Sequence, residues 1–308
     1  MIIKNHSDAT RDALAVMGRT ADPRLRTIMI SLVEHLHSFV RDVHLTEREF
    51  REAVGLLNEM GKLSGDAHNE TMLMAGSLGV SSLVCLLNNG HNGNTETAHS
   101  LLGPFLRLNS PLVASGGSIV RSDTPGHPLF ITARVVDQAG NPIADAEVDI
   151  WHASPVGLYE NQDPEQADMN LCSKFRTDKD GRFSLRTVKM IRYPIPTDGV
   201  VGRLLTAQNR QPMRPAHLHA LIVKAGYKVL ISQVYDPNDP HIYDDVQFGV
   251  TKALMGDYMR HDEPHPSRSA AIVPWYSLDH TYVMEPGETV LPSHLSNNAV
   301  NLSNLNSR

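Results

Sequence analysis

The tripeptide His217-Leu218-His219, inside Arg214-Pro215-Ala216-His217-Leu218-His219-Ala220-Leu221-Ile222-Val223, sets two imidazoles two residues apart. Pro215 and the apolar, β-branched run after the pair predict a strand. On a strand, residues i and i+2 share a face, so both rings can reach one metal ion. The same spelling at His35-Leu36-His37 falls in a helical pattern. There, i and i+2 point about 200° apart, which predicts surface residues and no shared ligand. Two imidazoles hold a metal poorly, so further donors must be found. His241, Asp239 and Asp244, in a predicted loop, offer a zinc-type set. Tyr159 follows the strand ending in Trp151-His152-Ala153, and Tyr193 precedes Pro194, which holds it extended. Phenolate is a hard anionic donor suited to a hard trivalent cation such as Fe(III). Such a cation would also lower the phenol pKa enough to ionise it.

The elements that must position these side chains change character along the chain. The first hundred residues read as helices. Asp22-Pro23 supplies an N-cap and a proline at the first helical position. Leu25, Ile28, Met29, Leu32, Leu36, Phe39, Val40 and Val43 then form one apolar stripe. Thr46-Glu47-Arg48-Glu49 is a capping box that opens a second helix, expected to stop at Gly61. A third helix is expected from about Ala67 to Leu87. The stripe is longer than packing within one chain requires, which predicts a homodimer through these helices. After Gly103-Pro104, strands are expected at Leu129 to Val136, Ala146 to Trp151, Leu218 to Val223 and Val229 to Val234. Asp178-Lys179-Asp180-Gly181, between Lys174 to Thr177 and Arg182 to Arg186, reads as a hairpin turn. The expected fold is α+β. Residues 1–105 form a helical region, 106–292 a mainly antiparallel β-sandwich, and 293–308 a polar, Ser/Asn-rich tail without fixed structure.

Composition excludes several functions. A net charge of −6 leaves no basic face for nucleic acid. Two cysteines, Cys85 and Cys172, allow neither a disulfide framework nor a four-cysteine zinc site. Met1 to Asn5 lacks a signal-peptide core, and no apolar run approaches the ~20 residues of a membrane span. The expected compartment is the cytoplasm, with no membrane partner.

Several motifs, in order, carry a resemblance. They are Gly140-Asn141-Pro142 through Trp151-His152-Ala153, Gly157-x-Tyr159, Phe175-Arg176-Thr177-Asp178-x-Asp180-Gly181-Arg182-Phe183, Tyr193-Pro194-x-Pro196 and Arg214-Pro215-Ala216-His217-x-His219. Together they resemble the intradiol ring-cleavage dioxygenases. The helical part with Leu102-Gly103-Pro104-Phe105 is similar to that family's linker domain. The resemblance implies one Fe(III) per subunit, held by Tyr159, Tyr193, His217 and His219. It also implies that O2 splits an aromatic diol or triol between adjacent hydroxyl-bearing carbons. Tyr193 would be the ligand that leaves and takes a substrate proton, while Arg214 and Gln233 would flank the substrate. Leu73, Gly76, Leu101, Pro104, Ile195 and Arg214 are the expected pocket residues.

The stretch Tyr193 to Leu205, and Asn109-Ser110-Pro111 through Ile119, resemble the hydroxyquinol branch of the family more than the catechol branch. Gly76 departs from that branch, which carries an Asp there; it predicts a roomier pocket with one acceptor fewer. Catechol cleavage to cis,cis-muconate is the alternative activity. A non-catalytic transthyretin-like module explains the pattern from Pro142 to Ile150 but leaves Tyr159, Tyr193, His217 and His219 without a role. A zinc hydrolase built on His217, His219 and a loop carboxylate leaves both tyrosines idle.

Overall fold

Three helices open the chain, each at a side-chain cap: Asn5, Asp22 and Thr46. The computed structural model describes residues 2–65, 69–89, 99–103, 105–107, 109–265 and 273–291. It divides into two compact units, Met1–Lys62 and Leu63–Arg308. In the first, α1 (His6–Met17) packs on α2 (Pro23–Asp42), and α3 (Glu47–Leu63) follows. Asp22 accepts from the Leu25 N–H at the start of α2. Thr46 and Glu49 exchange hydrogen bonds as the capping box requires. Gly61 does not stop α3, which runs to Leu63; one glycine costs a helix only about 1 kcal/mol. His35 bonds the Ser31 carbonyl within its own helix, whereas His37 reaches Thr10 of α1, so this pair diverges as expected. Of the predicted stripe, Leu25, Ile28, Leu32, Leu36, Phe39, Val40 and Val43 are exposed, and Met29 is half-buried.

In the second unit, the single helix expected over 67–87 is two: α4 (Glu70–Ser77) and α5 (Val80–Asn89), bent by 77°. Gly79, at φ +74°, turns the chain where no side chain would be comfortable. Among the described residues no single helix is long and apolar enough to cross a membrane; α4 and α5 pass that test only when taken together. The polar tail 293–308 lies outside the described residues.

Two four-stranded sheets follow. One has the order β4 (Arg182–Val188), β1 (Pro128–Asp137), β10 (Trp275–Met284), β9 (Asp257–His261). The other runs β3 (Cys172–Arg176), β2 (Glu147–Trp151), β7 (His217–Val223), β8 (Leu230–Tyr235). Among the described strands, β1 and β10 are the one pair that runs parallel, so the mainly antiparallel expectation holds. Leu129, Ile131, Phe183 and Leu185 from the first sheet meet Val148, Ile150, Leu218, Ala220 and Ile222 from the second in one core. The period-two alternation of β7 therefore sends Leu218 and Ala220 inward, and His217 and His219 to the opposite face.

The expected hairpin at 178–181 is a turn between sheets: β3 and β4 have different partners. Asp178 accepts from the N–H groups of Asp180 and Arg182, which builds the turn locally. Pairing is decided elsewhere, since the Thr177 hydroxyl donates to the Ile143 carbonyl and accepts from the Ala146 N–H, holding the end of β3 against the start of β2. After β3 and β4 come β5 (Tyr193–Pro194), an unanticipated helix α6 (Val200–Ala207) and β6 (Met213–Arg214), which pairs with β5. The α6 N-terminus has no cap of its own. Glu70 on α4, fully buried, accepts from the Val201 N–H at 2.8 Å and fastens the two helices.

Candidate active site

The outer face of β7 carries the histidines, and the loop after β2 and the short strand β5 bring two phenols over them. The hydroxyl of Tyr159 stands 3.0 Å from that of Tyr193 and 3.0 Å from Nε2 of His219. Nε2 of His217 lies 3.1 Å from Nε2 of His219 and 3.4 Å from the Tyr193 hydroxyl. All four side chains are buried. Nδ1–H of His217 donates to the Pro215 carbonyl at 2.7 Å, which leaves the acceptor lone pair on Nε2, toward the cluster. Donors about 3 Å apart are spaced as atoms bound at roughly 2.0–2.2 Å to one small cation would be. The donor set therefore fits a single hard cation.

Electrostatics agree. Burial, and then Arg214, hold the His217 imidazole well below its usual pKa; burial, and then His217, do the same for His219. Both are thus neutral, as metal ligands must be. Burial and then Tyr193 push the Tyr159 phenol far up. For Tyr193 burial pushes the same way, against the pull of Arg214. A cation among these atoms would reverse both phenol shifts.

Arg214, on β6, is buried with Nη1 3.2 Å from His217 Nε2. Burial opposes its charge, but Asp245 first, then Tyr235 and Tyr193, outweigh that and hold the guanidinium ionised. Asp245 accepts from Nε and Nη2, both at 3.2 Å. Nη2 also donates to Gln233 Oε1 at 3.1 Å and to the Tyr235 hydroxyl. Gln233, directly opposite His219 in the β7–β8 register, donates in turn to the Leu101 carbonyl at 2.6 Å.

Aromatic rings wall the cluster. Trp151 faces His219 across the β2–β7 register and stacks on it, centroids 4.7 Å apart at 10°. Phe105 stacks on Tyr159 at 4.4 Å. Gly103, at φ +74°, lies so close that a Cβ there would sit 3.2 Å from Cε1 of His219.

Of the residues singled out from sequence, Tyr159, Tyr193, Arg214, His217, His219 and Gln233 converge. Leu73 and Ile195 pack together with Val201, Leu205 and Val246, and Leu101 reaches the cluster through its carbonyl. Pro104 lies outside the described residues. The room expected at Gly76 is taken up by the side chain of Gln247. Asp239 accepts from the Ala216 N–H, and His241 pairs with Asp244 at 3.0 Å. Among the described residues no group of three or more His, Cys, Asp or Glu gathers in a metal-binding arrangement. Sequence reasoning missed Tyr235, which the period of two from Gln233 could have found. It also missed Asp245, whose loop carries no periodic signal.

Residues 103–278 match the family model described as "Dioxygenase", and residues 22–96 the model "Catechol dioxygenase N terminus". A hydroxyquinol 1,2-dioxygenase of Rhizobium sp. (strain MTP-10005) is 36% identical over 275 residues, 88% of this chain and 92% of that one. A catechol 1,2-dioxygenase of Candida albicans (strain SC5314 / ATCC MYA-2876) is 33% identical over 255 residues, 82% and 84% of the two chains. The crystal structure of hydroxyquinol 1,2-dioxygenase from Pseudomonas putida DLL-E4 matches with a TM-score of 0.82 at 35% identity, covering 92% of this chain and 99% of that one.

Proposed function

This chain belongs to the intradiol ring-cleavage dioxygenases, and within that family we propose that it acts on hydroxyquinol (benzene-1,2,4-triol) or a ring-substituted relative. The ring opens between the adjacent hydroxyl-bearing carbons, with both atoms of O2 incorporated, to a maleylacetate-type product. The observation that carries the reading is the convergence of two phenol oxygens and two imidazole Nε2 atoms, spaced 3.0–3.4 Å, beside one buried guanidinium.

Enzymes of this family use Fe(III). In this chain Tyr159, Tyr193, His217 and His219 would hold it, one per subunit. When bound, ferric iron draws electron density from a ring diol and so readies the ring for dioxygen. The Tyr193 phenol oxygen, beside Tyr159 and His217, would accept a proton from the substrate. Arg214, charged at any working pH, stabilises negative charge that develops on the ring. Gln233 fixes both Arg214 and the segment at Leu101. Trp151, stacked on His219, and Phe105, stacked on Tyr159, hold those two rings in place.

The functional division we propose keeps residues 1–105 for linkage and dimerisation, 106–292 for catalysis and 293–308 as a polar tail. The exposed stripe from Leu25 to Val43 supports a homodimer through the helices. The enzyme acts in the cytoplasm, without nucleic acid or membrane partners. Catechol is the second reading, favoured by the similarity to the Candida albicans enzyme. Comparing kcat/KM for the two substrates tests the assignment. We expect hydroxyquinol to be preferred; a preference for catechol of about tenfold, roughly 1.4 kcal/mol of transition-state binding, transfers the assignment to catechol.

A further inference from the structure

Gly76 lacks a side chain where another residue supplies one. A Cβ built on it would lie 1.7 Å from Oε1 and 2.7 Å from Cδ of Gln247, so the carboxamide fills the space beside this turn of α4. Gln247 is buried, 7% exposed. Its backbone is held by the carboxylate that holds Arg214: Asp245 Oδ1 accepts from the Gln247 N–H at 3.2 Å, and Oδ2 from the Gly249 N–H at 2.8 Å. One side chain thus sets both the guanidinium beside the four donors and the stem of this carboxamide.

The amide is oriented by its partners. Nε2 donates to the Ser77 hydroxyl at 2.8 Å and lies 3.5 Å from the Leu73 carbonyl, which can only accept. Oε1 is therefore the free end, and among the described residues none donates to it. It is not sealed in, as the partnerless Trp151 Nε1 is. The next residue back, Val246, packs with Leu73, Ile195, Val201 and Leu205. An acceptor without a donor, at the edge of an apolar cluster that includes Ile195, two residues along from Tyr193, can take a hydrogen bond from a ligand.

We propose that Oε1 of Gln247 accepts a hydrogen bond from the ring hydroxyl that is not part of the cleaved diol, and so makes the enzyme selective for a triol. The proposal rests on the substrate reading above. A site built to accept from a hydroxyl discriminates against the analogue lacking it far better than an apolar pocket does. No covalent step is involved; Gln247 is a specificity residue.

Gln247→Leu keeps the bulk and removes the acceptor. Steady-state kcat/KM for hydroxyquinol and for catechol is measured on the ferric enzyme and on the variant, with iron content and the visible band as controls. The ratio of hydroxyquinol to catechol should fall by about tenfold or more, with catechol turnover within about threefold and the iron retained. Gly76→Ala is the second variant, since its Cβ must displace the carboxamide while leaving Gln247 in the chain; it should move the ratio in the same direction. If wild type prefers hydroxyquinol but neither variant changes the ratio beyond twofold, this proposal is overturned and the substrate reading stands. If wild type prefers catechol, both fall.

Discussion

Asp245 and Arg214 form a buried ion pair, Oδ2 to Nη2 at 3.2 Å, and among the described residues neither has a second ion-pair partner. Asp245 is 5% exposed and Arg214 likewise. Taking one charge away leaves the other desolvated and alone, which costs about 3–5 kcal/mol. Asp245→Ala is therefore expected to lower the free energy of unfolding by about that amount, read from denaturant midpoints. Asp245→Asn keeps an acceptor for Arg214 Nε and the Gln247 N–H, though not for Arg214 Nη2 and the Gly249 N–H, and should lose less than Asp245→Ala. Equal losses in the two variants would mean that the hydrogen bonds, rather than the charge, do not matter.

Tyr159 and Tyr193 differ in what surrounds them, and their removal should differ too. Tyr159→Phe and His219→Ala each delete a donor from a set of four and are expected to abolish iron retention or nearly all activity. Tyr193→Phe should keep more iron, with a shifted visible band, because Tyr193 is the ligand proposed to give way. Purified wild type should be wine-red, since two phenolates on ferric iron absorb in the visible, whereas a zinc protein has a filled d shell and no such band. About one zinc and no iron per chain on metal analysis would remove the dioxygenase reading.

Gly103→Ala tests the closeness of the linker to the site. The added Cβ meets His219 Cε1 at 3.2 Å, and the backbone stays at φ +74°, strained for any residue with a side chain. We expect a stability loss of about 1–2 kcal/mol together with weaker iron retention in a chelator challenge. A loss of stability with iron affinity unchanged would place the strain in the backbone alone.

Asp149 on β2 gives a pH signature away from the metal donors. Burial raises its carboxyl to about 6, against the opposing pull of Lys174 and the hydroxyl of Ser110. The neutral form is thus the one the fold favours. Stability from this group is present below the unfolded value, near 4, and is lost as pH rises toward 6, by at most about 3 kcal/mol. Asp149→Asn should therefore be more stable than wild type at pH 7.5 and close to it at pH 4.5. Urea midpoints at the two values check this, and a gap no wider at the higher pH contradicts it.

The exposed stripe on α2 predicts the oligomeric state. Leu32 and Leu36, 47% and 51% exposed, lie one turn apart on it. Light scattering should give a dimer for the wild-type chain and a monomer for Leu32→Asp with Leu36→Asp. A wild-type monomer at micromolar concentration sinks the idea.

The local grammar of the chain determined a good deal by itself. Caps at Asp22 and Thr46 depend on contacts three residues long, and they form as written. The side-chain period of a strand is a property of the backbone, so His217 and His219 had to share a face once β7 formed. The donor chemistry of Tyr159 and Tyr193 was also legible, because phenol and imidazole carry their preferences wherever they stand.

What tertiary structure decided is which separate segments meet. The turn at Asp178 has the chemistry of a hairpin, yet long-range pairing assigns β3 and β4 to different sheets. The α6 N-terminus is satisfied by Glu70, 131 residues earlier in the chain, so no adjacent cap could announce it. Gly76 reads as open space in sequence, because a glycine says only what it lacks. The carboxamide that fills this space comes from Gln247, brought there by a loop anchored on Asp245. Loop-borne contacts have no period to read; they exist only once burial and the pairing of distant strands have fixed where each loop ends.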